Sequence, residues 1–201
     1  MNTEPHPLLL FSLPDRTQRL ASLLQREILI PCPGTVQLES LLLNLPGCDR
    51  DYISTRVETI FVNGNAVDSL AEPLAPGMTV ALSAAMPGLA GAIFRKGGLH
   101  KSLRSRPSST RTVNPDEGYV SIRLFNQVAA DLAEPLLTRG VLMRGPALAR
   151  FVRNRAGQLL KDGGAITLDS QPVTGNDAKQ RPASFPQVLV RSTFISIPAR
   201  S

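Results

Sequence analysis

Acid-base catalysis needs two carboxylates held across a substrate, and Asp131 with Glu134, three residues apart on one expected helix face, is a pair of that type. Nothing around them fixes a substrate between the two groups, so the pair reads as a solvated helix face. Arg144, Arg150, Arg153 and Arg155 gather positive charge within 12 residues. They would either receive a phosphate or acidic partner, or stand as solvated helix charges. Cys32 and Cys48 lie 16 positions apart without a CxxC pair, and His6 and His100 fall outside any ligand spacing. These spacings indicate neither a zinc site nor a disulfide framework, and they leave almost no material for a Ser-His-Asp triad. Gly97-Gly98 and Gly163-Gly164 lack the spacing and the following helix signal of a P-loop or Rossmann fingerprint. We therefore expect no catalytic residue, no cofactor and no metal.

The elements that would position these residues sit in a chain of 201 residues, 42% hydrophobic and 19% charged, which is globular composition. With no Trp and 4% aromatics, the core has to be built from Leu, Val, Ile and Ala. The net charge of +6 is unevenly spread: residues 1–94 carry −4, residues 95–115 carry +6 without one acidic group, and residues 116–201 carry +4. A basic run of this kind, lacking interleaved aromatics, reads as a solvated linker rather than a base-stacking surface. No charged residue occurs between Glu72 and Arg95, yet Pro73, Pro76, Pro87 and three glycines interrupt the stretch, which argues against a membrane span. The amino terminus has no positively charged region ahead of its short apolar run, so a cytoplasmic protein with both thiols reduced is expected.

In the front half, Arg26 to Ile30 reads as a strand that breaks at Pro31-Cys-Pro-Gly34. A helix capped by Thr35 follows, with Leu38, Leu41, Leu42 and Leu45 on one stripe and a stop at Pro46-Gly47. Val57 to Val62 leads into Asn63-Gly64, a dipeptide suited to a tight hairpin, and Met78 to Leu82 forms a further strand after the turn Leu74 to Gly77. The leucine stripe is expected to be buried, as are Ile60, Val62, Val80 and Leu82.

This order, together with the segments Ile60 to Val67, Pro73 to Leu82 and Met86 to Gly91, resembles the ubiquitin-like β-grasp sulfur carriers of the thiamine and molybdopterin pathways. That family shows a Thr-initiated helix with paired leucines, a V-N-G-x-x-V hairpin, an L-x-x-G-D-x-V turn and strand, and a tail ending in Gly-Gly. The resemblance covers residues 25–98 and implies a β-grasp fold, a protein partner such as an adenylating or sulfur-transfer enzyme, and Gly97-Gly98 as a candidate processed tail. Two departures stand against it. The chain continues for more than a hundred residues after Gly98, and Met78 replaces the usual acidic residue after Gly77. Gly97-Gly98 is then either a hinge opening the basic linker or a tail released by proteolysis.

The back half opens with the alternating strand Tyr119 to Phe125, then a helix capped by Asn126, kinked or shortened at Pro135 and ended by Gly140. A second helix carries Leu148, Phe151, Val152 and Leu159; Ala165 to Leu168, Gln187 to Arg191 and Thr193 to Ile197 read as strands, with a turn near Asp169. The expected fold class is α+β: a β-grasp domain over 7–94, a basic flexible linker over 95–115 and a second small α+β domain over 116–198. The expected function is a non-catalytic, carrier-like or protein-docking module, not conjugated at full length. The alternatives are nucleic-acid binding through the linker and the Arg144 to Arg155 cluster, or a sulfur carrier activated by proteolysis after Gly98.

Overall fold

The computed structural model describes residues 6–14, 18–84, 118–173 and 177–194. Contacts divide the chain into two compact units: Leu24–Leu132, and Met1–Leu23 together with Ala133–Ser201. Each is α+β, with both parallel and antiparallel strand pairs. The chain enters the second-named unit with β1 (Leu8–Leu13) and α1 (Gln18–Ala21) before crossing to the first.

The unit Leu24–Leu132 opens with β2 (Ile28–Pro31) and β3 (Val36–Gln37), followed by α2 (Leu38–Leu43) and α3 (Arg50–Thr55). Next come β4 (Thr59–Val62), β5 (Asn65–Val67), β6 (Pro73–Leu74), β7 (Thr79–Ser83) and β8 (Tyr119–Phe125). The main sheet runs β2-β8-β7-β4-β5, with β7 and β8 parallel and the other pairs antiparallel. The β4–β5 hairpin is the tight turn that Asn63-Gly64 suggests: φ is 50° at Asn63 and 82° at Gly64, the sign pattern of a type I′ turn. Leu38, Leu41, Leu42 and Leu45 are buried, and so are Ile60, Val62, Val80 and Leu82.

Thr35 does not cap the helix. It is exposed, and the helix starts three residues later behind Gln37, which makes no side-chain cap. The reason lies in the backbone: β3 pairs with β6, and the Leu38 and Glu39 amides donate to the carbonyls of Glu72 and Leu70, both at 2.9 Å. The first turn's orphan donors thus find partners without a hydroxyl. A second short helix, α3, follows where none was expected; Asp49 caps it by accepting from the Tyr52 amide at 2.7 Å.

The helix α4 (Asn126–Arg139) follows β8, runs through Pro135, and ends at Gly140, whose amide donates to the Leu136 carbonyl at φ 106°. The remaining unit continues with β9 (Val141–Arg144), α5 (Gly145–Leu159), β10 (Ala165–Leu168), β11 (Gln171–Pro172), α6 (Asp177–Gln180) and β12 (Gln187–Phe194). Its sheet runs β11-β10-β1-β12-β9. β1 and β12 are parallel; the rest are antiparallel. The strand β12 runs unbroken from Gln187 to Phe194, through the break expected at Ser192; 195–197 lie outside the described residues. In this unit Arg19 donates to the Gln158 carbonyl at 2.8 Å and pairs with Asp162 at 3.2 Å, supplying a cation and a donor at the end of α5.

Pairing distributes two segments differently from the boundaries 7–94 and 116–198. β1 is bonded to β10 and β12, and β8 lies between β2 and β7. Charge and proline content mark where the chain is polar; they carry no information about which distant strand a given strand will join. The linker over 95–115 lies outside the described residues.

Candidate functional site

Within the unit Leu24–Leu132 a hollow of about 190 Å³ opens at the end of β7, lined by Thr55, Arg56, Glu58, Ala84, Gln127 and Asp131. Three local devices build it. The Asp49 cap fixes α3, which places Tyr52 and Thr55 and hands on to Arg56 at its C-cap. Asn126, at φ 52°, turns the chain from β8 into α4 and donates from Nδ2 to Ser83 Oγ at 3.0 Å, while Ser83 Oγ donates to the Ala84 carbonyl at 3.0 Å. The point where the chain leaves β7 is thereby tied to the start of α4. Gln127 and Asp131, one helical turn apart, then share a face.

Asp131 is the polar centre of this hollow. Its Oδ1 accepts from Gln127 Nε2 at 2.7 Å and its Oδ2 accepts from the Tyr52 hydroxyl at 3.0 Å. Tyr52 is pushed well above the usual phenol range, first by burial and then by its hydrogen bond to Asp131. The phenol therefore stays protonated and serves as a donor. Beside it, burial, and secondarily the charge of Asp49, raise Cys48 to about 11, which keeps the thiol protonated and poorly nucleophilic at neutral pH. Cys32 is also a free, buried thiol, donating to the Gly34 carbonyl at 2.8 Å.

The other candidates fall elsewhere. Glu134 is half-buried on α4 and does not line the hollow, so the Asp131/Glu134 pair does not face one space. Arg144 ends β9 and precedes α5; Arg150, Arg153 and Arg155 are exposed on α5. At 100° per residue Arg150 and Arg153 share a face, whereas Arg155 points away and donates to Gln158 Oε1 at 2.8 Å. Gly97, Gly98 and His100 lie outside the described residues. Among the described residues no group of three His, Cys, Asp or Glu is placed to hold a metal ion, and no helix is long and apolar enough to cross a membrane.

Tyr52, Thr55, Arg56, Glu58 and Gln127 were not marked by any motif. The available signals were Asp49 three residues before Tyr52, an N-cap spacing, and Gln127 four before Asp131. The hollow is smaller than the roughly 300 to 1,000 Å³ that encloses a small-molecule ligand. No model of a protein family, no curated protein and no solved structure matches the chain.

Proposed function

We propose that the unit Leu24–Leu132 is a β-grasp module of the sulfur-carrier type that docks a protein partner, carries out no catalysis itself and is not conjugated at full length. The observation that supports this reading most is the position of β8. The segment 85–117, which contains Gly97-Gly98, begins just after β7 and ends just before β8, and these two strands are parallel neighbours in one sheet. A carrier tail needs a free carboxyl end; here the corresponding segment is a closed connection between paired strands. The polar hollow at its root, with Asp131, Glu58 and Arg56 on its rim, supplies charged contacts for a partner.

The partner class implied is an adenylating or sulfur-transfer enzyme. Titrated calorimetrically with a sulfur-carrier adenylating enzyme, the full-length protein is expected to bind, and Asp131→Ala to weaken binding by about tenfold or more. With ATP added, no pyrophosphate release dependent on the protein is expected. Absence of binding would contradict the docking role, and protein-dependent pyrophosphate release would contradict the unconjugated one.

A further inference from the structure

The strands of the two units share more than their class. Aligning the hairpin turn Asn63-Gly64 with Asp169-Ser170 and following the pairing outward brings every strand into correspondence. Val62 opposite Val80 matches Leu168 opposite Leu9; Val80 opposite Ile122 matches Leu9 opposite Val190; Ile122 opposite Ile28 matches Val190 opposite Val141. The strand orders β5-β4-β7-β8-β2 and β11-β10-β1-β12-β9 are thus the same sheet, with the same parallel pair at the same place.

Hydrogen bonds outside the regular ladders repeat under this alignment. The Thr79 amide donates to Asn63 Oδ1 at 2.9 Å, and the Asn63 amide donates back to the Thr79 carbonyl at 2.8 Å. At the matching positions the Leu8 amide donates to Asp169 Oδ1 at 2.8 Å, and the Asp169 amide to the Leu8 carbonyl at 2.9 Å. The bond from Ser121 to the Met78 carbonyl recurs as Leu189 to Pro7, and that from Cys32 to Gly118 as Gly145 to Pro186. Both turns hold two residues at positive φ, 50° and 82° in one and 49° and 66° in the other. Side chains agree as well: Ile60 and Val67 correspond to Ile166 and Val173, Arg123 to Arg191. Backbone pairing of neighbouring strands does not by itself dictate a side-chain bond from the first turn residue to the adjacent strand, so its recurrence adds to the shared strand order.

We infer that the chain contains one five-stranded module twice. Residues 28–125 are the first copy, and residues 141–194 with 8–13 are the second. In the second copy the strand that should follow the hairpin, β1, is supplied from the amino-terminal side instead. The copies differ at the hollow. Glu58 corresponds to Gly164 and Ala84 to Leu13; a Cβ at Gly164 would collide with the Leu159 carbonyl oxygen and approach Leu13 Cδ2 at 3.4 Å. The second copy has kept the frame and closed the polar site, so docking belongs to the first. That last step rests on the docking reading; the duplication does not.

The test exchanges the hairpins in the full chain. Thr167→Phe, Leu168→Val, Asp169→Asn, Ser170→Gly, Gln171→Asn and Pro172→Ala together write residues 60–67 into 166–173 in register. This variant is expected to unfold cooperatively with a Tm within about 5 °C of the parent, while the same graft shifted by one residue, which turns its apolar positions to the other face, is expected to lose the transition. A second measurement compares Asn63→Ala with Asp169→Ala, each expected to lower Tm by a similar few degrees. An in-register graft that fails as badly as the shifted one, or a Tm loss confined to one of the two alanine variants, would overturn the duplication. Neither result would alter partner binding by the parent protein, so the two proposals fail separately.

Discussion

Cut once between Gly98 and Leu99 through an inserted protease site, the protein is expected to remain a single species on gel filtration and to melt cooperatively. The amino-terminal fragment holds β2 to β7 of one unit and β1 of the other; the carboxy-terminal fragment holds β8 and everything from β9 onward. Each fragment therefore lacks a strand that belongs between two of its own. Without β8, β2 and β7 lose both their hydrogen-bonding neighbour and the buried Val120, Ile122 and Leu124. At about 1.5 to 3 kcal/mol for each buried side chain, the loss is of the order of a domain's whole stability. The fragments expressed separately are expected to be unfolded and to regain structure on mixing. Two fragments that separate after cleavage, each folded, would contradict the strand assignment.

Phe11→Ala and Leu42→Ala are expected to be costly in different places. Both side chains are fully buried, and truncation at such sites costs about 3 to 5 kcal/mol for Phe and 2 to 5 kcal/mol for Leu. Phe11 stands opposite Ile166 on one side and Ser192 on the other. Amide exchange in Phe11→Ala should therefore rise first in β10 and β12, although Phe11 lies in the amino-terminal part of the sequence. Leu42, on α2, should instead loosen the unit Leu24–Leu132. A Phe11→Ala protein whose exchange rises first in β4 and β7 would place β1 with the front half after all.

Local structure was readable wherever one residue type has one physical use. Asn63-Gly64 specified a hairpin because both residues tolerate positive φ, and the leucine stripe over 38–45 specified a buried helix because only one face can pack. The same reasoning found β8 and β10 and the end of α4 at Gly140. Thr35 misled because a capping hydroxyl is dispensable when backbone carbonyls from Leu70 and Glu72 arrive instead. β1 and β9 went unread: five and three apolar residues have no periodicity that distinguishes a strand from any other buried segment, and the partners lie up to 181 residues away. The hollow around Asp131 was half legible. The carboxylate was singled out, but with Glu134 as its companion; its contacts are Tyr52, 79 positions distant, and Gln127. The duplication was hidden for a different reason, since the copies share a register and a turn but few identical residues, and one of them takes its closing strand from the other end of the chain.

If the working form is the uncut chain acting by docking, the intact mass of the protein recovered from its native cells reads it out. The expected result is a single species in which the residues before and after Gly98 remain joined. A fragment ending at Gly98, heavier than its free acid by the difference between sulfur and oxygen, would contradict it and identify a processed sulfur carrier.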